Sequence, residues 1–327
     1  MRKDMVVAYQ QFQLSDYQTT FAEDTKAKKL KVKDSKSKNL TVISGKGLRV
    51  AFNKTTGLLT AYEVNSVSLL GNGGTIKPNF WRAATDNDMG SRIHQKYKVW
   101  RNPTLKLTSF NMKKSKTQLD EPCVNVVASY KIPEVKAKLK MIYEITSNGK
   151  MTVQMLMDAD KKPEVANMLR YGVVVQMPFK MDVSEYYGRG PIENYADRKE
   201  SQRIGIYRQT ADQQFYPYIR PQETGTKTDM RWWKQTNEKG LGLRVTSQDE
   251  FCASALHYTV EDLDDGDDKE QRHIQNVPGS KFTNLYLDKE HAGVGGVDSW
   301  SGWAEALPEY RVKYDDKDFI FVLTPTR

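Results

Sequence analysis

Residues 135–157 read VKAKLKMIYEITSNGKMTVQMLM. The odd positions Val135, Ala137, Leu139, Met141, Tyr143 and Ile145 are apolar or aromatic, while Lys136, Lys138, Lys140 and Glu144 stand between them. A period of two is that of a strand with one buried face. Met151, Val153, Met155 and Met157 repeat the pattern. The two apolar faces match only if Ile145 opposes Met151, which predicts an antiparallel hairpin with a three-residue loop and Gly149 in the left-handed conformation.

Similar short runs occur at Leu48 to Phe52, Val124 to Tyr130, Met168 to Gln176, Leu241 to Val245, Thr283 to Leu287 and Phe319 to Leu323. Gly, Pro, Asn and Asp clusters separate them, as turns between strands require. Helical periodicity beyond two or three turns is scarce. The fold class expected is all-β, a large antiparallel β super-sandwich with long loops, and neither a doubly wound parallel sheet nor an eightfold βα barrel is compatible with it.

The chain has 327 residues, 38% of them hydrophobic, and a net charge of +9. That is enough to bury a core without disulfides or a structural metal. Cys123 and Cys252 lie in no CxxC or CxxH context, so both are expected to be buried free thiols and no metal site is expected. The charge is concentrated in KAKKLKVKDSKSK, residues 26–38, whose seven Lys and one Asp supply +6 and leave only +3 elsewhere. Without interleaved Arg and aromatics this reads as a solvated linker and not as a nucleic-acid surface. No run of about 18 apolar residues marks a membrane span, and the first residues lack an apolar h-region and a cleavage site, so no signal peptide is expected and the compartment is left unassigned. MVVAYQQFQL, residues 5–14, alternates like one strand with no partner before it.

Searches for GxxxxGK[ST], GxSxG and HExxH find nothing, and Gly293-Val294-Gly295-Gly296 runs into Val297-Asp298-Ser299-Trp300 and not into a helix. His94, His257, His273 and His291 have no ligand spacing. What remains are long segments read as loops, dense in Asp, Asn, Arg and Trp. Such loops on a β scaffold suit sugar recognition, because hydroxyls need paired donors and acceptors while the C–H face of the ring packs on an indole.

In order and spacing, PNFWRAATDNDMG (78–90), YGRGPIENYADR (187–198), YIRPQETG (218–225), ASALHYTVEDL (253–263) and AGVGGVDSW (292–300) resemble the C-terminal region of family 2 glycoside hydrolases of the β-galactosidase type. Ala84 stands where the family usually has proline, and Val297 where an acidic or polar residue is common. The resemblance implies a terminal super-sandwich similar in fold to galactose mutarotase over residues 41–327, a Lys-rich linker at 21–40, and at 1–20 the last strand of a preceding immunoglobulin-like domain.

It also implies that Trp300 is a stacking platform for the sugar, with Asp86, Asn87, Asp88 and Gly90 as a polar edge. A retaining glycosidase needs two carboxyl groups about 5 Å apart. In the family both are glutamates of a central barrel that has no place in this chain, and Asn237-Glu238 reads as a surface turn. The expectation is therefore a β-galactosidase fragment that completes the sugar site and stabilises the enzyme. It would have no catalytic residue or cofactor of its own. Its partners would be the barrel domain of the parent polypeptide and small β-galactosides, with no nucleic acid or membrane; a homo-oligomer is compatible with this. The alternatives are a free-standing mutarotase-like epimerase, with His257 and Glu223 as acid and base, and a carbohydrate-binding module.

Overall fold

The structure, a computed structural model, describes residues 6–17, 28–35, 39–160, 164–264, 266–267 and 272–326. Seventeen strands occur among them. β1 (Lys31–Ser35), β2 (Leu40–Gly45), β3 (Leu48–Asn53), β4 (Leu59–Val64), β5 (Val67–Ser68) and β6 (Ile76–Asn79) are followed by β7 (Lys106–Lys116), β8 (Pro122–Ile132), β9 (Ala137–Thr146) and β10 (Met151–Asp158). The rest are β11 (Arg170–Pro178), β12 (Val183–Gly190), β13 (Arg203–Thr210), β14 (Lys227–Thr236), β15 (Gly242–Leu256), β16 (Phe282–His291) and β17 (Lys317–Pro325). Their pairings are antiparallel.

The expected hairpin is β9–β10, with Ile145 opposite Met151 and Gly149 at φ 89°. Its apolar positions are buried and Lys138 and Lys140 are exposed, as the alternation predicts. Burying each large apolar side chain contributes about 1.5–3 kcal/mol. Fifteen-residue β15 is the hinge of the architecture. Leu243–Ser247 pair with β17, whereas Cys252–Leu256 pair with β16. It thereby joins a sheet running β7-β8-β9-β10-β17-β15 to a second running β2-β3-β4-β6-β11-β16-β15.

The two sheets face each other across the core. Phe52 of β3 meets Tyr143 of β9 at 5.0 Å between ring centroids, and the hydroxyl of Tyr171 on β11 donates to the Met155 carbonyl at 3.1 Å. An all-β antiparallel sandwich is thus the observed fold.

Three sequence expectations need correction. Lys31–Ser35, expected in the linker, is a strand paired with β2 from Lys31↔Ser44 to Ser35↔Leu40. An edge strand needs backbone partners on one side only, and its lysines stay in water while protecting that edge from further pairing. Leu30 is buried beside it, and the backbone N–H of Lys28 donates to Ser147 Oγ at 2.6 Å. The remaining linker residues 21–27 and 36–38 lie outside the described residues, as do 1–5 and 18–20 of the N-terminal segment.

Second, Tyr187–Gly190 and Ala253–Leu256, read as loop, belong to β12 and β15. Third, residues 6–17 are in no strand here: the Gln11 side chain, and not the segment's backbone, takes both the N–H and the carbonyl of Ile204 on β13. They touch the edge strand β13 through side chains: Gln11 Nε2 donates to the Ile204 carbonyl at 2.9 Å, and Arg203 covers the Tyr9 ring at 3.8 Å. No helix among the described residues is long and apolar enough to cross a membrane.

Candidate functional site

Four segments far apart in sequence meet around a cavity of about 150 Å³, walled by Thr85, Asp86 and Asn87, by Tyr195 and Arg198, by Tyr218, Gln222 and Glu223, and by Val294. The first is a short helix, Asp86–Gly90, held by a capping box: Thr85 Oγ1 accepts from the Asp88 N–H at 3.1 Å and Asp88 Oδ2 accepts from the Thr85 N–H at 2.9 Å. Two residues apart on a helix lie roughly 200° apart around its axis, so Asp86 and Asp88 point opposite ways.

Asp88 is buried and receives Arg82 in a forked pair, Nη2 to Oδ1 at 2.9 Å and Nε to Oδ2 at 3.2 Å. It therefore belongs to the support of the site and not to its open edge. Asp86 is 58% exposed, with Arg220 Nη2 at 2.9 Å and Gln222 Nε2 donating to it at 3.0 Å. Asn87 Nδ2 donates to the Val294 carbonyl at 3.0 Å.

The glycine-rich segment is fixed from several sides. Arg82 donates to the carbonyls of Ala292 at 2.7 Å and Gly293 at 3.0 Å, and Asp197 Oδ2 accepts from the Gly295 N–H at 2.7 Å. A Cβ on Gly293 would fall 2.6 Å from Asp197 Cγ, and one on Gly90 would overlap the Ser299 carbonyl and lie 3.0 Å from the Trp300 Cα. Close approach, and not left-handed backbone, is why glycine stands at these two positions.

Asp298 closes the turn, accepting from the N–H groups of Trp300 at 3.1 Å and Ser301 at 3.0 Å; its carboxyl is held below the usual value by the Ser301 hydroxyl and backbone. On this braced turn Trp300 is 79% exposed. An indole left in water forgoes several kcal/mol of burial.

Beneath the cavity lies a buried charge group. Glu223 takes Arg170 Nη2 on both oxygens at 3.1 Å and the Thr226 hydroxyl at 2.8 Å, with His291 Nε2 at 3.5 Å. Burial alone would raise its carboxyl, but Arg170 and His291 hold it down at about 2. Burial pushes Asp288, 3.8 Å from Arg170 Nε, up to about 7 against the pull of Arg170. Burial, reinforced by the charge of Arg170, pushes His291 down to about 4.

At neutral pH Glu223 is ionised and tied, a weak base for proton abstraction. His257 keeps other company: Asp212 Oδ1 at 2.9 Å from Nδ1, Thr283 Oγ1 at 3.2 Å from Nε2, and Phe179 stacked at 3.9 Å. The structure does not bring His257 and Glu223 to one site. Asn237-Glu238 is the turn expected, with Asn237 Oδ1 accepting from the Lys239 N–H at 2.9 Å and Gly240 at φ 79°.

The cavity's two carboxylates, Asp86 and Glu223, are each paired to an arginine. Among the described residues no group of His, Cys, Asp and Glu is arranged to hold a metal ion. Arg82 and Asp197 brace the site without a distinguishing sequence signal of their own beyond their places in the motifs at 78–90 and 187–198, since their loop partners at 292–295 lie about a hundred or more residues away.

Residues 44–323 match the family described as the β-galactosidase small chain. The chain is 31% identical over 295 residues to a β-galactosidase of Priestia megaterium, covering 89% of this chain and 27% of that one. It is 32% identical over 223 residues to a β-galactosidase of Lactobacillus delbrueckii subsp. bulgaricus, covering 68% and 21%. It thus spans about a quarter of the length of these relatives. Solved structures similar to it include the galactose 1-epimerase of Lactobacillus acidophilus, at 9% identity over 90% of this chain and 98% of that one with a TM-score of 0.44.

Proposed function

The chain belongs to the β-galactosidase small-chain family, and from that premise we propose that it is the C-terminal part of a retaining β-galactosidase of glycoside hydrolase family 2. In this reading it completes the wall of the sugar site and stabilises the enzyme, while a barrel domain of the parent polypeptide supplies the catalytic carboxylates. Residues 1–20 then end a preceding immunoglobulin-like domain. The segment 21–40 leads into the sandwich at 41–327, contributing β1 to it as an edge strand.

One observation carries the proposal: Trp300 is presented to solvent on a turn braced by Arg82, Asp197 and Asp298. A rigid loop that keeps an indole out of the core suits a sugar platform, with Gly90 packed against its backbone, Asp86 and Asn87 of the same short helix as its proposed polar edge, and Asp88 locked by Arg82. The cavity size agrees, since 150 Å³ is below the roughly 300–1,000 Å³ of a complete small-molecule pocket and fits one wall of a shared site. Ile192, Ile219, Val297 and Trp303 are also exposed around these segments, which suits a face that another domain covers.

Two measurements test this. The 327-residue chain should release no nitrophenol from aryl β-galactosides, and turnover abolished by Glu223→Gln or Glu238→Gln would overturn the assignment. In the parent enzyme Trp300→Ala should weaken acceptor sugar binding about tenfold, the value of one aromatic platform. A large fall in the unfolding midpoint with unchanged sugar affinity would instead make Trp300 a packing anchor.

A further inference from the structure

The sequence holds two Asn-Gly pairs, Asn72-Gly73 and Asn148-Gly149. In such a pair the glycine nitrogen lies within reach of the Asn side-chain carbonyl carbon, and no Cβ on the glycine shields it. The fold treats the two pairs in opposite ways.

Asn148-Gly149 is tied down in the β9–β10 loop. Asn148 Oδ1 accepts from the Lys150 N–H at 3.0 Å and from the Thr146 hydroxyl, and the Gly149 N–H donates to the Thr146 carbonyl at 3.0 Å. Gly149 is buried, and a Cβ there would lie 2.7 Å from the Val64 side chain. The attacking nitrogen and the amide it would attack are both occupied.

Asn72-Gly73 is the tip of the turn that leads to β6, fixed at its ends and open at its centre. The Gly71 N–H donates to the Gln176 carbonyl at 2.9 Å and the Gly74 N–H to the Gly71 carbonyl at 2.8 Å. A Cβ on Gly71 would run into Phe282, and one on Gly74 into the Gln176 carbonyl. Between them Asn72 and Gly73 are exposed, with Gly73 at φ 79°, as the second central position of a type II turn requires. Among the described residues no hydrogen bond holds the Asn72 side chain or the Gly73 N–H. Lys281 Nζ stands 3.9 Å from where a Gly73 Cβ would be, and its charge favours the anion that develops when that nitrogen reacts.

We propose that Asn72 is a site of spontaneous covalent modification, closing on Gly73 and reopening as a mixture of aspartate and isoaspartate. The Gly73 nitrogen gives its proton to hydroxide or another solvent base and attacks Asn72 Cγ. A new C–N bond forms there, the bond from Cγ to the side-chain nitrogen breaks, and that nitrogen takes a proton from water and leaves as ammonia. Water then opens the resulting succinimide at either carbonyl. One opening gives aspartate; the other leaves Gly73 attached through Cγ, as isoaspartate. Nothing is oxidised or reduced, and neighbouring residues hold both reacting groups, so no enzyme is required. Either product sets a carboxylate beside Lys281, and isoaspartate lengthens the turn before β6 by one backbone carbon. The inference involves neither Trp300 nor the loop cluster.

The test incubates the 327-residue chain at neutral and mildly alkaline pH, samples it over weeks and maps its peptides by mass spectrometry. Methyl transfer by an isoaspartyl methyltransferase is the second readout. Asn72 should convert, and faster at the higher pH. Asn148 should convert at least about tenfold more slowly, the effect of tying up its nitrogen and its oxygen. In urea, where the loop contacts are lost, the two rates should converge. Asn72→Gln should abolish methyl transfer to the turn peptide. Equal conversion of Asn72 and Asn148 in the folded chain, or an Asn72 that stays intact when folded yet converts in urea, would each overturn the proposal.

Discussion

Two buried arginines support the loop cluster, and they are satisfied in opposite ways. Arg82 faces one carboxylate: it forks onto Asp88 and gives its other donors to the Ala292 and Gly293 carbonyls. Arg170 faces two: it is taken by Glu223, while both Asp288 oxygens and Arg170 Nε lack a hydrogen-bond partner. The first arrangement is a clamp. The second is a shared charge, in which one carboxylate is held down at about 2 and the other driven up to about 7. Depth in the core is therefore a poor guide to what a buried charge does; the count of partners decides it.

The largest effect expected is that of Arg82→Ala, which strands Asp88 and frees two loop carbonyls. It should cost about 3–5 kcal/mol in denaturant titration, and a loss below about 1 kcal/mol would break the contrast.

Asp288→Asn probes the other arginine through pH. Asp288 titrates at 3.8 unfolded and about 7 folded, so between those values the folded chain binds more protons and stability falls as pH rises. His291 moves from 6.5 to about 4, so over that window the folded chain binds fewer protons and stability rises with pH. The two slopes oppose each other in the native chain. Removing Asp288 should uncover a rise of about 3 kcal/mol between pH 4 and 6.5, measured as unfolding free energy in buffered steps. An unchanged profile would show that the two carboxylates do not share Arg170. In both proteins Glu223, lowered from 4.5 to about 2, adds stability that is lost as pH falls through that range.

Gly90→Ala breaks the clamp's other contact without touching a charge. The added methyl meets the Ser299 carbonyl and should cost about 1–3 kcal/mol, with the same substitution at the open position Gly302 as the control. Trp300→Ala is the smallest in stability, within about 0.5 kcal/mol for an exposed side chain, and its reading is sugar affinity.

The fold was legible where burial alternates. Val135 to Ile145 and Met151 to Met157 fix both register and loop, because every inward position is apolar and most of the residues between them are charged or polar. β1 was not legible, since its residues KVKDS are exposed or nearly so and carry no pattern of burial. β12 was hidden by Gly188, Gly190 and Pro191, residues that punctuate turns and here admit close neighbours such as Met230. At the site, motif order brought the right segments together. It could not show which of Asp86 and Asp88 faces inward, because that depends on a five-residue helix set by Thr85. The glycines at 293 and 296 mark places where a carboxylate or two backbones touch, which no pattern in the sequence declares.

β17 occupies a slot between β10 and β15, with Val153↔Phe321 on one side and Val245↔Leu323 on the other. Those pairs join residues more than 70 and 160 positions apart, so the sheet stays open until this late segment arrives. On the ribosome, β10 and β15 emerge well before it, each with a bare row of amides and carbonyls and an apolar face. A message truncated just before Lys317 would leave both edges permanently unpaired and able to recruit each other from neighbouring molecules. A nine-residue strand that does not touch the loop-cluster cavity thus closes the last of these open edges.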